Sequence, residues 1–278
     1  MKTRMLITGV LVFAAGAAFG QSVQLKYVPE KGKTYQYADT MVVNMTQEMM
    51  GQEMKVYNKI AAVSRVTVES VAADRHALVF SLDTLRIATK SPRMDSTLVP
   101  TELLHKRTRI TFSPAGDILA RQVIDSIKAG PSMRGAGAMA QREFLMLPVY
   151  AAKAVKAGDK WTTVRADTQE AMGGKTVTTT TLEYTLVGKE KYAGRDTWKL
   201  SYTGTSAIAG KGSMMGSEVF TEGAGKMSGV AYVDAKSGML IASDGTMDSD
   251  MTAAVTGQQN MTIPITQSGT SKHVLIAE

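Results

Sequence analysis

The stretch Tyr35-Gln36-Tyr37-Ala38-Asp39-Thr40-Met41-Val42-Val43-Asn44-Met45-Thr46 decides the fold class. One set of alternate positions holds Tyr35, Tyr37, Asp39, Met41, Val43 and Met45; the other holds Gln36, Ala38, Thr40, Val42, Asn44 and Thr46. One face is apolar and the other mostly polar. A period of two belongs to a strand with one side against a core.

The pattern spreads outward from there. Gly51-Gln52 reads as a turn, after which Met54, Val56, Ile60, Ala62, Val66 and Val68 oppose Lys55, Lys59, Arg65, Thr67 and Glu69. Leu78, Phe80 and Leu82 continue it, residues 90–106 read as a loop with a short helix as the alternative, and Ser113-Pro114-Ala115-Gly116-Asp117 reads as a hairpin turn. Residues 123–156 differ. They carry Ala, Met and Leu without alternation, broken by Gly130-Pro131 and Gly135-Ala136-Gly137 and punctuated by Pro148. That composition predicts a short helical connector. Alternation resumes at Trp161 and carries Leu182, Tyr184, Leu186, Trp198, Leu200 and Tyr202 on apolar faces. The glycine-rich residues 209–225 read as a mobile loop, and strands return from 227 to 276. Tyr35, Met41, Val43, Phe80, Trp161, Leu182, Tyr184, Trp198, Leu200 and Ile241 are the expected inward-facing set.

The first twenty residues have a different logic. Lys2 and Arg4 precede an apolar run from Met5 to Ala17, and Ala18-Phe19-Gly20 supplies small residues where a signal peptidase reads. This order predicts a secretory signal peptide over 1–20, cleavage before Gln21, and a periplasmic or secreted protein. No later stretch is apolar enough to span a membrane as a helix, so no integral span is expected after cleavage.

The 278 residues are 44% hydrophobic and carry a net charge of +7, with no cysteine and three histidines. A packed core is therefore expected; disulfides, thiol catalysis and cysteine-ligated metals are excluded. His76, His105 and His273 show no zinc-hydrolase spacing and read as turn or surface residues. No serine-hydrolase elbow, S-x-x-K, P-loop or dinucleotide fingerprint stands in a fitting context, so no catalytic motif, cofactor site or metal site is assigned. Asp244, Asp248 and Asp250 share one strand face; the expectation is a solvent face, with a cation site as the alternative. Basic residues are scattered singly, the densest group being His105-Lys106-Arg107 with Arg109, so nucleic acid is not an expected partner.

Methionine is abundant, at 19 residues. Met41, Met45 and Met54 cluster around the first hairpin. Thioethers suit core packing, an adaptable apolar ligand surface, or copper(I), in that order of expectation.

The two halves echo each other. Lys31-Gly32-Lys33-Thr34-Tyr35 resembles Ala157-Gly158-Asp159-Lys160-Trp161, residues 79–83 resemble 199–203, and 110–120 resemble 232–242, in the same order and at similar offsets. This predicts an internal duplication with a first β-rich half over 21–122, a connector over 123–156 and a second half over 157–278. Gly32 would match Gly158, and Gly116 would match Gly238.

The phrase Ala154-Val155-Lys156-Ala157-Gly158-Asp159-Lys160-Trp161 resembles the P-V-K-x-G-D-x-W phrase of a family of uncharacterised bacterial exported proteins, a domain of unknown function. Ala154 stands where that family has proline. The hairpin from Tyr232 to Leu240 is similar to one in half-barrels of the lipoprotein-carrier type. The resemblance implies a curved antiparallel sheet with helices on its concave side and no catalytic residues. The expected protein is thus mainly β, half-barrel-like, and a non-enzymatic binder of an apolar small molecule, lipid-like or peptide partner, or envelope component. The alternatives are a structural or interaction module with a filled core, a hydrolase with dispersed carboxylates, and an outer-membrane β-barrel.

Overall fold

A computed structural model describes residues 22–49, 51–126, 147–171, 174–214, 217–257 and 260–278. The expected signal peptide lies outside them, as do residues 127–146 of the connector. Twelve strands form one antiparallel sheet: β1 (Thr34–Met49), β2 (Gln52–Val71), β3 (His76–Ser91), β4 (Met94–Leu98), β5 (Thr108–Phe112), β6 (Ile118–Val123), β7 (Lys160–Ala171), β8 (Gly174–Tyr192), β9 (Arg195–Met214), β10 (Ser217–Asp234), β11 (Leu240–Thr256) and β12 (Met261–Ala277). Their order is β6-β5-β3-β2-β1-β12-β11-β10-β9-β8-β7, with β4 pairing on β3. Each strand pairs with the next from β1 to β3 and from β7 to β12, β4 folds back on β3, β5 pairs with β3 and β6, and the first and last strands pair with each other, which leaves the consecutive strands β6 and β7 at opposite edges. Among the described residues β6 and β7 are the free edges, so the sheet is curved and half-barrel-like rather than closed.

Three secondary-structure expectations are corrected. Residues 90–106 are not all loop, because Met94–Leu98 form β4 and pair with the end of β3. The described parts of the connector hold no helix: Val123 ends β6 and residues 147–156 run irregularly. Pro148 lacks a backbone donor, and the neighbouring backbone groups are committed to tertiary partners instead. The Tyr150 N–H donates to Ala115 O at 2.7 Å, and Val155 exchanges both backbone bonds with Val23 at 2.8 and 2.9 Å. A 3-10 turn at Thr101–Leu103 is the helical element among the described residues. The glycine-rich stretch is not a loop either. Its described residues lie in β9 and β10, and Gly210, Gly212, Gly223 and Gly225 share one face of the sheet.

The core occupies one end of that face. Tyr35, Leu78, Phe80, Leu82, Ile110, Phe112, Leu186, Leu200 and Val233 are buried there, each worth about 1.5–3 kcal/mol when fully removed from water. Of the expected inward set, Tyr35, Phe80, Tyr184, Leu200 and Ile241 are buried; Met41, Val43, Trp161, Leu182 and Trp198 are half-buried. The segments that lead into β1 and β7 close this end. The Tyr27 N–H donates to Pro114 O and the Val28 N–H to Ser237 O, each at 2.8 Å, so one segment crosses both hairpin turns. The Tyr27 hydroxyl donates to Pro148 O at 2.9 Å, its ring meets Phe112 edge-on at 5.2 Å, and the Tyr150 hydroxyl donates to Gly238 O.

The leading turns of the two halves share a bonding pattern. Gly32 N–H donates to Val68 O and Val68 N–H to Lys33 O; Gly158 N–H donates to Leu186 O and Leu186 N–H to Asp159 O. Gly116 and Gly238 both have positive φ, in the β5–β6 and β10–β11 turns.

Candidate ligand-binding face

The strands are longer than the core they cover. Cross-strand pairing carries the core face past the plugged end in successive rows, and burial alternates there along β9, β10 and β12. In β12, Met261, Ile263, Ile265, Gln267, Gly269 and Ser271 are half-buried, and the residues between them are exposed. This side is called the core face below, and the other the outer face.

The first row beyond the hydrophobic core is polar and buried. Ser243 of β11 pairs with His273 of β12, which pairs with Asp39 of β1. The Asp39 carboxylate bonds His273 Nδ1 at 2.8 Å through Oδ1 and accepts from the Ser64 hydroxyl at 2.6 Å through Oδ2. Asp39 is 1% exposed, His273 3% and Ser64 0%, so the cluster is withdrawn from bulk solvent. Burial raises the Asp39 pKa, and its bonds to His273 and Ser64 pull the other way. Ser64 serves the acid and not the imidazole, so this is no nucleophile–base–acid relay. It is a buried polar tie between the first and last strands. His273 and His76 are both buried, which corrects their assignment to turns and surface; His105 is exposed. His76 opens β3 and meets the Tyr27 carbonyl at 3.1 Å through Nε2, because the N-terminal segment packs over the strand start. Burial lowers its pKa.

The next row runs Trp161, Tyr184, Tyr202, Gly229, Gly245, Ser271, Met41 and Ile60 across eight strands. Trp161 stacks on Tyr184 at 5.6 Å and donates its indole N–H to Val149 O at 2.8 Å. The phenol of Tyr202 lies over Gly229 and Gly245; a Cβ at either would collide with its oxygen. Beyond lie rows containing Leu182, Met227, Met247 and Val43, then Met45 and Val56, then Ile208, Met251, Ile265 and Met54. Met251 covers Gly223 and Met247 approaches Gly269. Thus glycines pave the face and flexible thioethers lie across them.

Met41, Met45 and Met54 all occur on this face, half-buried. Gln267 Nε2 donates to the Met45 sulfur at 3.5 Å and Gln47 Nε2 to the Met54 sulfur at 3.8 Å. These are weak acceptors for amide donors. Among the described residues no cluster of three histidine or carboxylate side chains could hold a metal.

The outer face is polar. Lys55, Lys59, Glu183, Glu222, Lys226 and the stripe Asp244, Asp248 and Asp250 are exposed on it. A shallow trough of about 570 Å³ lies there between Thr162, Thr181, Thr203, Ser228 and Thr246. Both arginines of the densest basic group are paired: Arg107 holds the Asp125 carboxyl down at about 2, and Arg109 forks onto Glu69.

No family description matches the chain, and no curated protein matches its sequence. Among solved structures it is similar to a lipovitellin described for its lipid–protein interactions, with a TM-score of 0.45, 10% identity and 89% of this chain covered. The match spans 25% of the lipovitellin chain. It is also similar to OccK2 (OpdF) of Pseudomonas aeruginosa, with a TM-score of 0.29, 7% identity, and 88% and 98% of the two chains covered. The translocator domain of the Neisseria meningitidis autotransporter NalP gives 0.21 and 11%, with coverage of 87% and 88%. These are likenesses of large β-sheets and carry no functional argument.

Proposed function

We propose that the protein is an exported, non-enzymatic binding protein that holds an apolar or lipid-like ligand on the core face beyond its plugged end. One observation carries this: the core face runs on past the packed core as a half-buried, glycine-paved band of Met, Ile and Val that includes Met41, Met45 and Met54. Burying such a band against a ligand's apolar chain gains about 25 cal/mol per Å², and methionine adapts its shape to different chains. Export rests on the order of charged, apolar and small residues in 1–20. Membership of the exported family rests on the Ala154–Trp161 phrase. Duplication rests on the ordered sequence matches and on the shared bonding of the two leading turns.

The outer-membrane barrel is disfavoured by the outer face. A lipid-facing surface is apolar, whereas this one carries Lys55, Lys59, Glu222, Asp248 and Asp250. The structural-module alternative draws on the Gln267 and Gln47 contacts, which let the band satisfy itself. The test is mass spectrometry of an organic extract of protein purified from its native host without detergent. The binding reading expects a stoichiometric apolar compound that is lost from the Met45→Asp variant. A wild-type protein free of any such compound, and unable to take up a fatty acid in solution, would leave the filled module.

A further inference from the structure

Resting on that binding reading, we propose that the ligand is an anionic amphiphile whose carboxylate or phosphate head is held by Arg165, with its tail along the methionine band. Arg165 lies on the core face of β7, in the row that continues through Thr180, Ser206, Gly225, Ser249, Gln267 and Met45. Its Nη2 is buried and has no hydrogen-bond partner. The Ser249 hydroxyl, further along the same row, is also buried and without one. A guanidinium donor withdrawn from water and left unpaired is costly, and a carboxylate or phosphate is the acceptor that completes its fork.

The guanidinium is within electrostatic reach of Tyr184. Burial pushes the Tyr184 phenol up to about 12, and the Arg165 charge works against that rise. Thr180, its direct cross-strand neighbour, offers a hydroxyl beside the same head. From Arg165 to Ser249 the row crosses four strand spacings, about 19 Å along the sheet, and Leu182, Met247 and Met251 flank it on the adjacent rows. A single acyl chain laid along this path would have its head at the β7 edge and its tail running toward β12.

The test compares oleate, octadecyl phosphate and oleyl alcohol by isothermal titration against wild type, Arg165→Gln and Arg165→Lys. Wild type should bind at least one of the two anions about 10–100-fold tighter than the alcohol, the worth of a charge-assisted hydrogen bond. Which anion it prefers distinguishes a carboxylate from a phosphate head. Arg165→Gln should bring the anion down to the alcohol's affinity, and Arg165→Lys should restore part of the difference. Equal wild-type affinity for anion and alcohol overturns the proposal and leaves the apolar-binding reading standing. So does an Arg165→Gln variant that keeps the full preference. Failure of all three ligands to bind rejects the binding reading itself.

Discussion

Gly238 and Gly158 make a controlled pair, because both have positive φ (+69° and +89°) but different surroundings. At Gly158 an added Cβ meets nothing within 4 Å, so Gly158→Ala carries the left-handed backbone penalty alone, about 1–2 kcal/mol. At Gly238 the same Cβ falls inside van der Waals contact of the Lys26 carbonyl and close to the Tyr27 backbone. That neighbour is main chain and cannot rotate away. The N-terminal segment must lift, which threatens the Val28 N–H bond to Ser237 O and the Tyr150 hydroxyl bond to Gly238 O. Overpacking of this kind adds about 1–3 kcal/mol, so Gly238→Ala should lose about 2–5 kcal/mol in all. Urea unfolding followed by tryptophan fluorescence reads both, with the midpoint falling further for Gly238→Ala at unchanged slope. Equal losses for the two variants would mean that the N-terminal segment does not lie across the β10–β11 turn, and the plugged end would have to be redrawn.

Three further outcomes follow from the buried polar groups and the N-terminus. His76 has a folded pKa below the ordinary 6.5 because it is buried, so the unfolded chain binds its proton first. Its contribution is intact above about 6.5 and is lost as pH falls below it. Urea midpoints should drop between pH 7.5 and 5 more in wild type than in His76→Gln; parallel drops would contradict this. The raised Asp39 pKa acts in the opposite direction, penalising the fold at neutral pH, and so cannot supply that drop. Asp39→Ala should cost about 3–5 kcal/mol by stranding His273 and Ser64, while Asp39→Val combined with His273→Leu should cost less than Asp39→Ala alone; additive losses in the double-mutant cycle would deny the coupling. N-terminal sequencing of protein from the native host should begin at Gln21; Met1 retained on soluble cytoplasmic protein would refute export.

The fold class was legible because alternation is a backbone property. A strand with one face on a core writes its period into the sequence, as Tyr35 to Met45 does. Topology was not, since nothing in β1 or β12 announces that the first and last strands pair. The glycine-rich stretch misled for a physical reason. Glycine in a loop and glycine under a neighbouring side chain look alike in sequence, and the second use appears only when Met251 is seen across Gly223 and Thr176 across Gly210. The connector misled because propensity is a weak prior: Pro148 and the backbone bonds of Tyr150 and Val155 hold its described part extended.

At the site, the shared face of Met41, Met45 and Met54 was legible from spacing. The Asp39–His273 tie was not assigned, although its signal was present: Asp39 is the one charged residue on the apolar face of β1, and a charge there needs a partner. Its partner lay on the last strand, beyond the reach of local pattern. Arg165 gave a weaker signal, falling on the core-face parity of β7 with Trp161.

The central claim is that the core face beyond the plugged end is where an apolar chain lies. Photolabelling with a diazirine-bearing palmitate, followed by peptide mapping, tests it most directly. Saturable labels, competed by oleate, are expected on core-face residues such as Met45, Met247 and Met251, and none at the exposed outer-face residues Val164 and Phe220. Labels at Val164 and Phe220, or labelling that oleate does not compete, would contradict it.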